Sequence, residues 1–279
     1  MENILDAISN ISTMFDEVVA QYGDAEQPGS IRARDMTSFS DKARKVRVAE
    51  AFSMGAINLR LALDNINALP GIVRANAPFL VVVAARAILE ESSLSMWFYD
   101  PSIDSTERIR RNLMQLCQVK EEVKKLHLMN NDVAEAAKIE DFFDNRLLPI
   151  LTACGVEFKN AKGKATQPQN LKPDISTMSE KNYDSHARAA YKIFSGIAYG
   201  QTNTIVTFAY DFGNAQKKDA VNLIEYKPKI EIIYYALKFA LLAFEKAVRT
   251  VFQTNGWDFG KIETAFGEFS AAFNEVVRA

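Results

Sequence analysis

Apolar side chains recur at steps of three and four residues along nearly the whole chain. A clear case is the N-terminal segment, in which the apolar positions are Ile4, Ile8, Ile11, Phe15, Val18 and Tyr22. Steps of this size keep side chains on one face of an α-helix, whereas a half-buried strand needs steps of two. Because no alternating pattern bounded by turn residues occurs, the sequence predicts an all-α fold, a multi-helix bundle of about eight helices.

Prolines and glycines mark the ends of the first three predicted helices. A connection over residues 23–40 follows the first helix, and Pro70–Gly71 is expected to end the second. The third helix, from about residue 77 to 99, is apolar nearly all round and is therefore predicted to be the central one. Asp100–Pro101 ends it, because a residue that precedes proline is disfavoured in the helical region.

Five further helices are predicted in the rest of the chain. Asp104 followed by Glu107 resembles a capping box that opens the fourth helix. Apolar seams predict the other four at residues 136–154, 187–208, 230–255 and 262–276. Residues 155–177 are predicted to form a long loop. We interpret the 279 residues as one domain, with an N-terminal helix and linker at 1–40 and the main bundle at 41–279.

The composition is that of a soluble globular protein. Hydrophobic residues make up 48% of the chain and charged residues 24%, and the formal net charge is −2. Such a charge gives no overall attraction to nucleic acid or to acidic membranes, so we expect neither as a partner. The N-terminus does not resemble a secretory signal, and no apolar run reaches about 18 uninterrupted residues. We therefore expect a cytoplasmic protein.

A polar stripe interrupts the third predicted helix and continues into the fourth. Its members are Arg86, Glu90, Ser93, Trp97, Arg108 and Arg111. Steps of four, three and four keep the first four on one helical face, and polar groups in such an apolar setting must find partners. The short turn between the helices predicts antiparallel packing, with Arg108 near Trp97 and Arg111 near Glu90. There an arginine could pair with a carboxylate across two helices.

Two interpretations of this stripe stay open. In the first, the three arginines leave positive charge that Glu90 alone does not cancel, and the stripe lines a pocket for a small anionic or polar ligand. In the second, the same side chains form a structural ion network that fixes the register of the helices. Glu91 and Arg110 are expected to face solvent in both cases.

The sixth predicted helix adds a row of hydroxyl groups. Ser195, Tyr199 and Thr202 fall on one side of it, next to an apolar seam that contains Tyr191. Such hydroxyls suit a ligand, or they bond to the arginine stripe and to helix backbones. The full candidate ligand-binding set is Arg86, Glu90, Trp97, Arg108, Arg111, Tyr191, Ser195 and Tyr199.

The residues that metals usually require are not suitably spaced. Neither His127 nor His186 has a glutamate three residues before it, so the Glu-x-x-His pairs of ferritin-like proteins are missing. Cys117 and Cys154, together with these histidines, lack the spacing of a structural zinc site. We therefore expect no metal and no cofactor.

Two motifs carry a resemblance to known proteins. The first runs from Arg86 to Arg111 and comprises Arg86…Glu90…Trp97, Asp100-Pro101 and Arg108…Arg111. The second is Tyr191-x-x-x-Ser195-x-x-x-Tyr199-Gly200. They resemble motifs of an uncharacterised family of bacterial all-helical proteins that is loosely HEPN-like, the HEPN proteins being four-helix bundles that handle nucleotides and RNA. In the second motif that family has histidine where this chain has Tyr199.

The resemblance implies a fold more than an activity. HEPN ribonucleases carry an arginine followed four to six residues later by histidine, and neither His127 nor His186 has an arginine at that spacing. The side chains that would perform acid–base chemistry on a ribose hydroxyl are therefore absent.

Three functions stay open. The first is a non-catalytic, ligand-binding helical protein with a polar site between helices. The second is a HEPN-like enzyme of a defence or toxin system that acts on RNA or nucleotides, in which Tyr199 or His186 would have to serve as the acid–base group. The third is a homo-oligomeric scaffold, in which the last helix exposes an apolar stripe to a partner: Phe259, Phe266, Phe269 and Phe273.

Overall fold

Helices dominate the chain. The computed structural model describes residues 1–23, 25–154, 175, 178, 183, 185–201, 204, 210–212, 216–218, 221–223 and 226–278. The helices are α1 (Glu2–Tyr22), α2 (Ile31–Thr37), α3 (Lys42–Arg74), α4 (Pro78–Tyr99), α5 (Ser105–Met129), α6 (Val133–Phe142), α7 (Leu148–Ala153), α8 (Ser185–Ala198), α9 (Ile230–Asn255) and α10 (Gly260–Arg278). A π-helix, Phe143–Leu147, joins α6 to α7. The predicted all-α multi-helix bundle is confirmed.

Two short antiparallel strand pairs lie between α8 and α9. β1 (Tyr210–Phe212) pairs with β4 (Tyr226–Pro228), and β2 (Gln216–Lys218) pairs with β3 (Val221–Leu223). The sequence pattern did not predict these strands. Each strand has only three residues, which is too short for an alternating pattern to show in the sequence.

Two helices in the first part of the chain differ from the prediction. The segment predicted as a connection contains α2, which begins where the Ser30 hydroxyl accepts a hydrogen bond from the backbone N–H of Ala33 at 3.2 Å. α3 continues through Pro70 to Arg74 instead of ending at the proline. A proline removes one backbone hydrogen bond, and the burial of Pro70 with its neighbour Leu69 offsets that loss.

α8 is shorter than its apolar seam predicts. The helix ends at Ala198, and Gly200 follows in a left-handed conformation with φ of 70°. The backbone N–H of Gln201 bonds to the carbonyl oxygen of Gly196 at 2.9 Å, which is the bond of a glycine-terminated helix. The loop predicted at residues 155–177 lies outside the described residues apart from Ile175.

α4 is the central helix, as its apolar composition predicts. It packs against α3, α8 and α9. Its contact with α5 is small, and α5 packs more extensively against α3. α1 packs against α3 and α10, and its Phe15 ring lies 5.9 Å from that of Phe244 on α9. Among the described residues, no helix combines the length and apolar character that a membrane span requires.

The phenylalanines of α10 belong to the chain's own core. Phe266, Phe269 and Phe273 are all buried there, and Phe259 packs against the same core. The exposed stripe on which the scaffold interpretation depended is therefore not formed by these side chains.

A glycine allows α3 and α4 to approach closely. A Cβ placed on Gly55 of α3 would lie 2.6 Å from the Tyr99 ring and 2.9 Å from the Cβ of Phe98 on α4. Gly71, near the end of the same helix, has nothing within 4 Å of such a carbon. Only the first glycine is thus required by packing.

We expect Gly55→Ala to lower the free energy of unfolding by about 1–3 kcal/mol, because the added methyl group overlaps the Tyr99 ring. The matched substitution Gly71→Ala should raise it by about 0.4–1 kcal/mol, since alanine restricts the unfolded chain and meets no obstacle. Urea unfolding followed by circular dichroism measures both. Similar effects at the two positions would contradict the close contact between the helices.

Candidate functional site

The predicted stripe divides into two separate clusters. The first, here called the α4 cap, surrounds the C-terminal end of α4 and consists of Asp35, Glu107, Arg108, Arg111 and Thr254. The second lines a groove between α4, α5 and α8, and its polar side chains are Arg86, Glu90, Glu91, Gln115, Gln118, Tyr191 and Tyr199. Each cluster has its own geometry and its own chemistry.

Arg108 caps the end of α4 from inside the protein. Its side chain has no exposed surface, and its guanidinium donates to the carbonyl oxygen of Phe98 and, at 3.0 Å, to that of Asp100. Its Nε donates to the buried carboxylate of Asp35 on α2 at 2.9 Å. The Phe52 ring lies 4.6 Å from the guanidinium carbon. Burial lowers the pKa of Arg108 and the Asp35 charge opposes that shift, so the guanidinium stays charged.

Arg111 and Thr254 complete this cap. Arg111 donates to the carbonyl oxygen of Trp97, and its guanidinium lies 5.2 Å from the Trp97 ring. Thr254 of α9 donates to the carbonyl oxygen of Tyr99 at 3.0 Å. The last carbonyl groups of a helix have no partner within the helix and need one when they are buried. Side chains therefore satisfy four consecutive carbonyls, at residues 97–100.

The carboxylates near Arg111 are not Glu90, the one that the sequence predicted. Arg111 donates to Glu107 at 3.0 Å and lies 3.5 Å from the Asp100 carboxylate, and the expected approach to Glu90 is wrong. The reason is that α5 packs mainly against α3 and α6 and only briefly against α4. Trp97 likewise lies with the α4 cap and not in the groove.

Glu107 has two roles at the start of α5. Its backbone N–H donates to Asp104 at 2.8 Å, which confirms half of the predicted capping box. Its carboxylate accepts hydrogen bonds from Arg111 and, at 2.7 Å, from Arg110, whose side chain is 37% exposed and faces solvent as expected. Burial alone would raise the pKa of Glu107, but these two arginines lower it.

The groove has a volume of about 320 Å³. It brings together five side chains that the sequence singled out: Arg86 and Glu90 of α4, and Tyr191, Ser195 and Tyr199 of α8 or the turn that follows. Ser195 reaches it through a hydrogen bond from the Nε of Arg86 at 3.2 Å. Leu94, Val119 and Ile175 supply its apolar lining.

Arg86 and Glu90 form the fixed polar network of the groove. Arg86 donates to Glu90 at 2.6 Å and to the Tyr199 hydroxyl at 2.9 Å, with its guanidinium 4.6 Å from the Tyr199 ring. The Tyr191 hydroxyl donates to Glu90 at 2.7 Å, and burial and this bond raise the pKa of Tyr191. Among the described lining residues, the Glu90 carboxylate thus balances the Arg86 guanidinium.

Two shielded oxygens of the groove have no hydrogen-bond partner among the described residues. They are Oε2 of Glu91 on α4 and Oε1 of Gln115 on α5. Burial, aided by the neighbouring Glu90, raises the pKa of Glu91 from 4.5 to about 7. The expectation that Glu91 faces solvent is therefore wrong.

Sequence reasoning missed both of these side chains. Glu91 lies one position beside the stripe, and its burial depends on where α5 and α8 pack against α4. Gln115 lies at a step of four from Arg111, on a helix whose orientation the turn alone did not determine. Only the charge of Glu91, inside an otherwise apolar helix, was a usable signal.

Comparison with protein-family models, with curated proteins and with solved structures finds no match to this chain. The HEPN resemblance of its two motifs therefore stays a prediction. Among the residues that the structure describes, no group of three or more His, Cys, Asp or Glu side chains is placed to hold a metal ion.

The burial of Glu91 links stability to pH. The folded protein keeps a proton on Glu91 that the unfolded chain releases, so stability is expected to fall as the pH rises from about 4.5 to about 7. We expect Glu91→Gln to abolish this part of the pH dependence. At about pH 8 the variant should be more stable than the original protein by about 1–2 kcal/mol, a value reduced to allow for partial exposure.

Urea unfolding at about pH 5 and about pH 8 measures this difference. Glu17→Gln, which removes an exposed carboxylate from α1, is the matched control and should leave the pH dependence unchanged. The same pH dependence in the Glu91→Gln variant and in the original protein would show that Glu91 is not buried in its neutral form.

Proposed function

We propose that the protein is a ligand-binding helical protein and that it binds a small polar molecule in the groove between α4, α5 and α8. The observation that supports this most is the pair of shielded, unpartnered oxygens on Glu91 and Gln115. An unsatisfied buried acceptor costs about 1–3 kcal/mol. A ligand that donates hydrogen bonds to these oxygens would remove that cost.

The groove also has features of a small-molecule site. Such sites are concave and combine apolar surface with polar groups that fix the orientation of the ligand. Here Leu94, Val119 and Ile175 supply the apolar part of the lining, and its volume of about 320 Å³ suits a small molecule. The Tyr199 ring, 70% exposed, lies at the edge of the groove.

Arg86, Glu90 and Tyr191 are held in place before any ligand arrives. Glu90 accepts from Arg86 on the same helix and from Tyr191, and the second of these bonds joins α4 to α8. Preorganised side chains lower the entropic cost of binding. Arg108 and Arg111 lie instead in the α4 cap, where Asp35, Glu107 and helix carbonyls already bind them, so we assign them a structural role and not a ligand.

Fragment binding tests this proposal. We would add primary amines, amides and carboxylic acids of about four to eight non-hydrogen atoms, which suit a groove of this size, and follow backbone amide shifts by NMR. At least one class should shift the amides of α4, α5 and α8 around the groove. Val119→Trp, at an exposed position of the lining, should abolish this binding by filling the groove.

Leu126→Trp is the matched control. Leu126 is an exposed apolar residue on the same helix but outside the groove lining, so this variant should bind fragments as the original protein does. Fragments that bind equally well to the Val119→Trp protein, or a complete lack of shifts around the groove, would contradict the proposal.

A further inference from the structure

The charge balance of the groove narrows the class of ligand. Arg86 carries one positive charge, and Glu90, in contact at 2.6 Å, carries one negative charge that balances it. The Tyr191 hydroxyl donates to Glu90 and the Tyr199 hydroxyl accepts from Arg86, and the lining residues from α5 are the uncharged Gln115, Gln118 and Val119. The one further charge that the described lining can develop is therefore the negative charge of Glu91.

The unsatisfied groups of the groove are acceptors. Oε2 of Glu91 and Oε1 of Gln115 come from two different helices, and once Glu91 is ionised both can only accept hydrogen bonds. An alkylammonium group offers three N–H donors and a positive charge, as the lysine head group does. A carboxylate offers no donor, and Glu90 and Glu91 would repel it.

Both oxygens lie below the solvent-accessible surface, so a ligand needs the side chains to turn toward it. Glu91 as a whole residue is only partly buried, and the terminal bond of a glutamate rotates over a broad range. The alkyl part of an amine would then contact Leu94, Val119 and Ile175. The same groove thus offers acceptors for the head of such a molecule and an apolar surface for its chain.

We propose that the ligand of this groove is a small primary alkylamine, bound as its ammonium ion by the carboxylate of Glu91 and the amide oxygen of Gln115. This inference rests on the proposed ligand-binding function. It also implies that binding the ammonium ion displaces the proton of Glu91, because the carboxylate must be ionised to hold it. Affinity for the amine therefore rises as the pH rises through about 7.

Three probes of nearly equal size test the charge preference on the full chain: butylamine, butyramide and butyrate. Their dissociation constants follow from the same amide shifts by NMR. At about pH 8 we expect butylamine to bind about tenfold more tightly than butyramide, because charge-assisted hydrogen bonds are the stronger ones. Butyrate should be the weakest of the three. At about pH 5.5 the advantage of the amine should shrink, because Glu91 is then protonated.

Glu91→Gln keeps the size of the side chain and removes its charge. In this variant the preference for butylamine over butyramide should disappear at both pH values. The exposed control Glu17→Gln should keep the preference. Persistence of the preference in the Glu91→Gln protein would overturn the assignment of Glu91.

The outcomes separate this inference from the proposed function. If butyramide or butyrate binds in the groove as tightly as butylamine, and Val119→Trp abolishes that binding, the amine assignment is wrong while the binding site stands. If none of the three probes shifts the amides around the groove, the inference and the proposed function both fail.

Discussion

The buried C-terminal end of α4 is the constraint on which the rest of the structure depends. A helix that ends inside a protein presents carbonyl groups and a partial negative charge that must be satisfied there. Arg108 supplies donors to two of these carbonyls, and Asp35 balances its charge. Because Thr254 adds a further donor from α9, this one point joins α2, α4, α5 and α9.

This cap also determines what the groove can do. Arg108 and Arg111 are held at the end of α4 by carbonyl groups and by their own carboxylates, and neither lines the groove. The groove keeps Arg86 with its partner Glu90, and Glu91 beside them. One helix thus carries a structural cluster at its end and the candidate binding site in its middle. The proposed preference for an amine follows from that division.

Residue spacing predicted the helices and their buried faces well, but not which distant residues meet. The partner of Arg108 is Asp35, 73 positions earlier in the chain. Asp35 lies on a seven-residue helix that contains too few apolar residues for a helical period to be recognised. The place of Arg111 depended on the direction of α5, which a short turn leaves undetermined. Five candidate residues did meet in the groove, because steps of four on α4 and α8 set their faces. The burial of Glu91 came from packing between helices, which spacing within one helix does not encode.

The most direct test of the α4 cap is a double-mutant cycle between Asp35 and Arg108, measured as free energies of unfolding in urea. Asp35→Asn and Arg108→Met should each cost about 3–5 kcal/mol, because each leaves a buried charge without its partner. The double variant has no unpaired charge, so it should be more stable than Arg108→Met alone. Losses that simply add would show that the two side chains do not depend on each other, and would contradict this account of the fold.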